Sequence, residues 1–178
     1  SRNEVHVIAT AQKALEAAAQ KAIELGLNPL ILSDRIEGEA RDVGKVHAGI
    51  ALQILNHDQP IRRPALLLSG GETTVTVRNP KGRGGRNQEF LLSLAVALDG
   101  TPGIHALACD TDGIDGSESN AGAIIGPDTM QLARNLGFDP QKSLMLNDAY
   151  AVFSETNSLI VTGPTRTNVN DLRAVLIV

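Results

Sequence analysis

Aromatic residues are rare in this sequence: they make up only 2% of its 178 residues and include no Trp. A nucleic-acid surface usually combines aromatic rings for base stacking with an excess of basic charge. The chain instead carries 16 Lys and Arg against 20 Asp and Glu, a formal net charge of -4. We therefore expect no nucleic-acid partner.

Cysteine and long apolar runs are scarce as well. Cys109 is the single cysteine, which excludes an internal disulfide and fits a reducing compartment. No apolar run reaches the roughly 18 residues that a membrane-spanning helix needs, and no signal peptide is recognisable at the start. We expect a cytoplasmic protein that binds no membrane.

The residues that remain for a core are Leu, Val, Ile and Ala, a composition typical of sheets covered by helices. The first helix is predicted from a run of helix-forming residues with apolar residues at helical spacing. It is bounded by Thr10 as an N-cap and by Gly26 at its C-terminal end. The predicted helices cover residues 11–26, 38–55, 87–100, 127–137 and 146–156. The predicted strands cover residues 5–9, 29–33, 64–69, 73–77, 104–110, 158–163 and 171–178, and residues 121–126 are either a short strand or a turn.

Strands and helices alternate along the chain, which predicts an α/β fold. We expect a three-layer α/β/α sandwich, similar to the Rossmann fold, with a mainly parallel or mixed sheet between the helices. Residues 73–77 follow 64–69 so closely that a hairpin is predicted there. Residues 1–178 are expected to form one domain, with residues 1–60 as an upstream βαβα segment.

Four polar clusters rich in glycine stand out, and three of them directly follow a predicted strand. In an open α/β sheet, ligands bind beyond the carboxyl ends of the strands, so these clusters predict a shared site for a polar small molecule at one rim of the sheet. The clusters are SGGET (residues 69–73), GRGGRNQE (82–89), CDTDGIDG (109–116) and TGPTRTNVND (162–171).

The second cluster opens a predicted helix, where exposed N–H groups and the helix dipole favour anions. Gly84 and Gly85 would let the backbone approach a ligand, and Arg86 can hold a phosphate or carboxylate through two hydrogen bonds. Asn87 is a further candidate for binding substrate or phosphate, together with these glycines. It stands where a GxGxxG motif has its third glycine, so this is not a dinucleotide fingerprint. A mobile surface loop is an equally weighted alternative.

The third cluster holds Asp110, Asp112 and Asp115. Such carboxylates can bind Mg²⁺ together with substrate phosphates, although Asp and Gly are also common turn residues. Turn chemistry is the favoured alternative from these residues alone. Cys109, at the end of a predicted strand, is interpreted as a small apolar residue rather than a nucleophile.

The fourth cluster offers hydroxyl and amide groups that can bind a substrate or form turns with their own backbone. The first cluster adds a carboxylate that can orient a substrate hydroxyl or merely sit at a turn. Candidate binding residues in these two clusters are Gly70, Gly71, Glu72, Thr165, Thr167, Asn168 and Asn170. No HxxxH, CxxC or GxSxG spacing occurs, which argues against a zinc site or a serine hydrolase elbow.

Together these motifs resemble the C-terminal MOFRL domain of the glycerate 2-kinase family, whose members are often labelled hydroxypyruvate reductases. The resemblance is dense over residues 64–178, and the preceding segment is similar to the part upstream of that domain. The motifs that carry it are LLLSGGETTVTV, GRGGRNQEFLLSLA, DTDGIDGSESNAGAI, LNDAYAVF and VTGPTRTNVNDLRAVLIV.

The resemblance implies transfer of the ATP γ-phosphate to the 2-hydroxyl of D-glycerate, with a divalent cation, in a cleft between two α/β domains. Arg86 is implied as the residue required for activity. Asp110, Asp112 and Asp115 match the family's TDG–DG loop without a role assigned to each, and Mg²⁺ binding by them stays the expectation from their carboxylates. The chain is expected to be the C-terminal half of a two-domain enzyme. ATP and Mg²⁺ are then expected to bind only with the N-terminal domain, and the isolated half is expected to be inactive. D-glycerate and that domain are the partners implied, with a homodimer left open.

Two alternatives to the kinase remain. One is an NAD(P)H-dependent hydroxypyruvate reductase, which the family label favours. The first predicted strand-to-helix turn has none of the glycines of a dinucleotide site, which argues against it. The other alternative is a ligand-binding module without catalysis.

Overall fold

A computed structural model describes residues 8–178, so most of the predicted strand at 5–9 lies outside the described residues. The helices are α1 (Ala11–Glu24), α2 (Ala40–His57), α3 (Arg86–Leu98), α4 (Thr129–Asn135), α5 (Pro140–Met145) and α6 (Ala149–Glu155). The strands are β1 (Asn28–Glu39), β2 (Ala65–Thr74), β3 (Ile104–Asp110), β4 (Gly122–Ile125), β5 (Leu159–Ile160) and β6 (Asp171–Ile177). The five predicted helices are confirmed, whereas the short helix α5 was not expected.

The first helix begins and ends where the sequence predicts. Thr10 accepts a hydrogen bond from the Lys13 N–H at 3.1 Å, which satisfies one free donor of the first turn. Gly26 follows the last turn with a φ of 77°, a conformation that glycine adopts without strain. Leu15 and Ala22 are the buried residues of this helix.

The six strands form one mixed sheet in the order β1-β2-β6-β3-β4-β5. The α/β class is therefore confirmed, and of the two sheet types expected, the mixed one is present. Among residues 8–178, only β1 and β2 pair in parallel, and the other four pairings are antiparallel. Since β6 runs antiparallel between β2 and β3, its first residue, Asp171, lies opposite both Gly71 of β2 and Asp110 of β3. The carboxyl ends of β2 and β3 thus lie beside the start of β6, at the same end of the sheet.

The hairpin predicted at residues 73–77 is wrong. The SGGET cluster is not a turn but the continuation of β2, which stays paired with β1 as far as Thr74. Strand β1 also extends beyond its predicted end at Ser33, with register shifts near Ser33 and Ile36. Gly71 permits this pairing because a Cβ there would overlap the Ile36 backbone. The close approach of two backbones, rather than a reversal of the chain, explains this glycine.

Helices cover the sheet and bury its apolar residues. Helices α2 and α3 pack against each other, and α3 lies on β3 and β4. Their apolar residues form the main core with Leu67 and Val175 of the sheet. Helix α1 packs instead against β1 and β2, and its Leu15 lies outside that core cluster. In the part of the chain that the structure describes, no helix combines the length and apolarity that crossing a membrane requires.

Candidate functional site

The Arg86 side chain is the centre of a charged cluster where β2, β3, β6 and α3 meet. Its Nε donates to Asp171 Oδ1 at 2.7 Å, and its Nη2 donates to Asp110 Oδ2 at 2.5 Å. Its Nη1 lies 3.4 Å from Glu72 Oε1. The predicted convergence of Arg86, Glu72 and Asp110 is therefore present in the structure.

The carboxylates around Arg86 differ in exposure. The side chain of Asp171 is 0% exposed and that of Asp110 is 5% exposed, whereas Glu72 is 56% exposed. Burial disfavours the charge on Arg86, but the hydrogen bond and charge of Asp171, helped by Asp110, raise its pKa. Arg86 thus remains a cation, and the ion pair with Glu72 is its most solvent-accessible contact.

The backbone donors at the start of α3 are already occupied by a protein carboxylate. Asp115 accepts hydrogen bonds from the N–H groups of Asn87 at 3.0 Å and Gln88 at 2.9 Å. It also accepts from the Gln88 amide at 3.1 Å. Burial raises the pKa of Asp115, and these donors oppose that shift. An external anion at this rim would be held by the Arg86 side chain rather than by these two N–H groups.

Several glycines of the predicted ligand loops contact other loops of the same chain. A Cβ at Gly85 would overlap Asp115, one at Gly116 would overlap Gly84, and one at Gly113 would overlap Gly163. The loops at residues 82–89, 109–116 and 162–171 are therefore packed against each other. These glycines are explained by that packing without a ligand.

The three aspartates predicted to bind a metal point to different partners. Asp110 pairs with Arg86, and Asp115 accepts from the start of α3. Asp112 accepts from the N–H of Ile114 at 2.9 Å, as a turn residue does. Within residues 8–178, no group of three His, Cys, Asp or Glu side chains is arranged to hold a metal ion. The metal role of these aspartates stays a prediction.

The TNVND loop is held beside the aspartate loop by its own polar groups. Thr165 Oγ1 donates to the Thr111 carbonyl at 2.5 Å, and Thr111 Oγ1 donates to the Asn170 carbonyl at 2.8 Å. Asn168 Oδ1 accepts from the Asn170 N–H at 2.9 Å, and its amide lies 3.4 Å from Asp112 Oδ2. Turn formation explains these contacts, and substrate binding by this loop stays a prediction.

Two pockets flank the Arg86 cluster. One, of about 450 Å³, is lined by Arg86, Gly84, Gly85 and the end of β2. Glu89 lies at its wall, paired with Arg41. Burial raises the pKa of Glu89 against the opposing charge of Arg41. The other pocket, of about 460 Å³, is lined mostly by apolar groups together with residues such as Thr165, Thr167, Cys109 and Asp110.

Sequence reasoning missed Asp171 as the partner of Arg86, and it missed Arg173 and Glu89 entirely. Arg173 is 0% exposed although it lies in an apolar strand, and Glu89 is 2% exposed in the first turn of α3. A charged residue inside a predicted buried strand or on the apolar face of a helix is the signal that identifies both. Such residues are rarely buried without a partner.

Asp110 should destabilise the fold progressively as the pH rises from about 4 to 6. Burial raises its pKa to about 6, against the opposing effects of the Asp112 N–H and Arg86. An unfolded Asp titrates near about 3.9, so in this window the folded state binds more protons and stability falls with rising pH. The stability of Asp110→Asn relative to the unmodified protein should therefore rise by about 1 kcal/mol between pH 4 and 7, allowing for solvent screening. Urea unfolding at both pH values measures this; a pH-independent difference would contradict the raised pKa.

Cys109 should react slowly with alkylating agents. It is half-buried rather than fully buried, and burial, followed by the charge of Asp110, raises its pKa to about 11. The thiolate is the reactive form, so iodoacetamide at pH 8 should modify it about a hundredfold more slowly than an ordinary thiol with a pKa of about 8.5. Mass spectrometry over time measures the rate, with glutathione as the control. A reaction midpoint near pH 8 would contradict the raised pKa, and only a midpoint below about pH 7.5 would mark Cys109 as an activated thiol.

The chain is similar to known proteins over nearly its whole length. Residues 65–171 match the MOFRL family. A protein of Agrobacterium vitis named "Putative hydroxypyruvate reductase" is 55% identical over 176 residues, which cover 98% of this chain and 46% of that protein. The D-glycerate 2-kinase of Thermotoga maritima is 41% identical over 178 residues, covering 100% of this chain and 42% of the kinase.

Two crystal structures share the fold. Glycerate kinase from Thermotoga maritima matches with a TM-score of 0.96 at 41% identity, covering 100% of this chain and 43% of that one. A protein of Pyrococcus horikoshii matches with a TM-score of 0.93 at 35% identity, covering 98% of this chain and 40% of that one. The chain spans less than half of the length of each of these relatives.

Proposed function

The chain belongs to the MOFRL family, and from this we propose that it forms the C-terminal domain of a two-domain glycerate 2-kinase. The enzyme would transfer the γ-phosphate of ATP to the 2-hydroxyl of D-glycerate in a cleft between this domain and an N-terminal one. Support comes from the Thermotoga maritima relative that is named for this activity and that is more than twice as long. The upstream segment, residues 1–60, belongs to the same proposed domain as residues 64–178.

The observation that carries the proposal is the placement of Arg86. Two of its three nitrogens are held by buried carboxylates, its Nη1 faces an exposed one, and the side chain lines a pocket of about 450 Å³. That volume accommodates a small hydroxy acid with a phosphoryl group. Arg86 would hold the glycerate carboxylate or the transferring phosphate and stabilise the negative charge of the transition state.

The reaction joins the glycerate 2-oxygen to the γ-phosphorus and breaks the bond from that phosphorus to the β–γ bridging oxygen. The hydroxyl proton is released to solvent, and the products are 2-phosphoglycerate and ADP. The residues of this domain would supply charge and position. Catalysis in phosphoryl transfer depends mainly on these two contributions.

The carboxylates of this chain fit a shared Mg²⁺ site better than a complete one. Mg²⁺ at phosphoryl-transfer sites is commonly held by one or two carboxylates and by the phosphates themselves. Asp110 and Asp112 remain candidates for this role, although their carboxylates also accept hydrogen bonds within the chain. Asp115 is the least accessible of the three aspartates, because it is 1% exposed and both of its oxygens accept from the start of α3. The ion would neutralise charge on the nucleotide phosphates. ATP itself would bind with the N-terminal domain in place.

A coupled assay on the complete polypeptide that carries this chain tests the proposal. We expect phosphoglycerate to form only when ATP, Mg²⁺ and D-glycerate are all present. Residues 1–178 alone should give less than about 1% of that rate, because half of the cleft is missing. Oxidation of NAD(P)H by hydroxypyruvate without ATP would support the reductase named for the Agrobacterium relative and contradict the kinase. Ligand binding without either turnover would indicate a non-catalytic module.

A further inference from the structure

We infer that Asp171, supported by Arg173, is a positioning residue that aims the Arg86 guanidinium into the cleft. The inference rests on the proposed function only in that Arg86 holds the substrate anion. It assigns a role to two buried residues that do not line the Arg86 pocket.

The Asp171 carboxylate is held in a fixed position. Asp171 begins β6 and lies in register with both Gly71 and Asp110, so its backbone is held between two strands. Its side chain is 0% exposed. Oδ1 accepts from Arg86 Nε at 2.7 Å and from the Asn87 amide at 2.8 Å. Because Oδ1 accepts from two donors and Oδ2 accepts from Arg173, the carboxylate has little freedom to turn.

A buried cation, Arg173, supports the Asp171 carboxylate. Arg173 lies two residues further along β6 and its Nη2 donates to Asp171 Oδ2. The same guanidinium donates to the Gly70 carbonyl and to Thr73 Oγ1, both at 3.2 Å, and lies 5.3 Å from the centre of the Phe90 ring. Arg173 therefore anchors Asp171 to β2 and to the core face of α3. It also balances the charge of Asp171, since an unpaired buried carboxylate would be strongly unfavourable.

The Asp171 carboxylate in turn fixes the orientation of Arg86. A guanidinium is planar, and holding Nε at Asp171 and Nη2 at Asp110 fixes the plane and its rotation. Nη1 is then the nitrogen directed towards the exposed Glu72. A substrate anion would meet this nitrogen already oriented, so less side-chain freedom is lost on binding. Asp171 thus acts through Arg86 and does not itself contact the substrate.

The direct test compares the intact protein with two variants. The single variant Asp171→Asn leaves Arg173 buried without its charge partner and is expected to lose stability. The double variant Asp171→Asn with Arg173→Met removes both charges, a replacement that buried ion pairs often tolerate. We expect the double variant to fold but its kcat to stay about ten- to a hundredfold below that of the intact protein, because Arg86 is no longer aimed. The exposed ion pair Asp58 and Arg63 provides the matched control, Asp58→Asn with Arg63→Met, with unchanged kcat.

A purely structural role predicts the opposite result, namely that kcat returns to normal once the double variant is folded. That outcome would overturn the inference. An NMR measurement is independent of turnover: in the intact protein the Nε proton of Arg86 should exchange with solvent at least about ten times more slowly than that of Arg83, which pairs with Glu118 at the surface. Equal exchange rates would also overturn it. If the intact protein has no kinase activity, the proposed function fails while the exchange measurement still decides this inference.

Discussion

Replacing Arg86 with Ala should lower kcat/KM for ATP-dependent phosphorylation of D-glycerate by about a hundred- to a thousandfold, the loss typical of a removed charge-stabilising donor. Arg86 is the cation at the meeting point of β2, β3 and β6, and its Nη1 is directed towards an exposed carboxylate. The steady-state kinetics of the complete protein measure the effect. Most of the loss should fall on kcat if Arg86 stabilises the transferring phosphate, and on KM if it binds only the glycerate carboxylate.

Arg83, in the same loop, is the control for this prediction. Arg83 pairs with Glu118 and lies 4.3 Å from the centre of the Tyr150 ring at the outer side of the pocket. Arg83→Ala should therefore lower kcat/KM by less than about tenfold, since a partner at the surface contributes little. Arg63 precedes β2, at the opposite end of that strand from the site, and pairs with Asp58, so Arg63→Ala should leave kcat/KM unchanged. Equal losses for Arg86→Ala and Arg83→Ala would contradict the assignment of the site to Arg86.

The parts of the fold that depend on neighbouring residues could be predicted from the sequence. Thr10 and Gly26 bound α1 as expected, because caps act within one turn of the helix. The start of α3 at Arg86 follows from the switch between a glycine-rich loop and an apolar periodic run. The placement of Glu72 and Asp110 at one end of the sheet was predicted as well, since both lie at the carboxyl ends of strands, where ligand sites form. Arg86 meets them there from the start of α3, a helix end that favours anions.

The parts that depend on strand register could not be predicted. Asp171 contacts Arg86 because β6 runs antiparallel between β2 and β3, and the sequence of β6 does not specify its neighbours or its direction. The hairpin at residues 73–77 was wrong for the same reason: a parallel partner, β1, extends the strand through Gly70 and Gly71. A glycine pair after a strand is compatible with a turn, with a ligand and with a close backbone neighbour.

Replacing Gly71 with Ala distinguishes these three explanations. We expect the replacement to lower the free energy of unfolding by about 3 kcal/mol. A φ of 112° is strained for any residue with a Cβ, and here the Cβ would also overlap the Ile36 backbone, which cannot move without breaking its pairing with β2. Urea unfolding measures the loss. The same change at a glycine that only turns the chain should have a much smaller effect.

Two other glycines separate backbone strain from steric overlap. Gly163 has a φ of 66° and nothing within 4 Å of the place that a Cβ would take, so Gly163→Ala should destabilise by only about 1 kcal/mol. Gly49 lies on the exposed side of α2 with open space around it, and Gly49→Ala should stabilise by about 0.5–1 kcal/mol. A Gly71→Ala variant as stable as Gly163→Ala, but with a raised KM for ATP or D-glycerate, would show that Gly71 instead makes room for a ligand. Since β1 fills the space beside Gly71, we expect stability rather than KM to change.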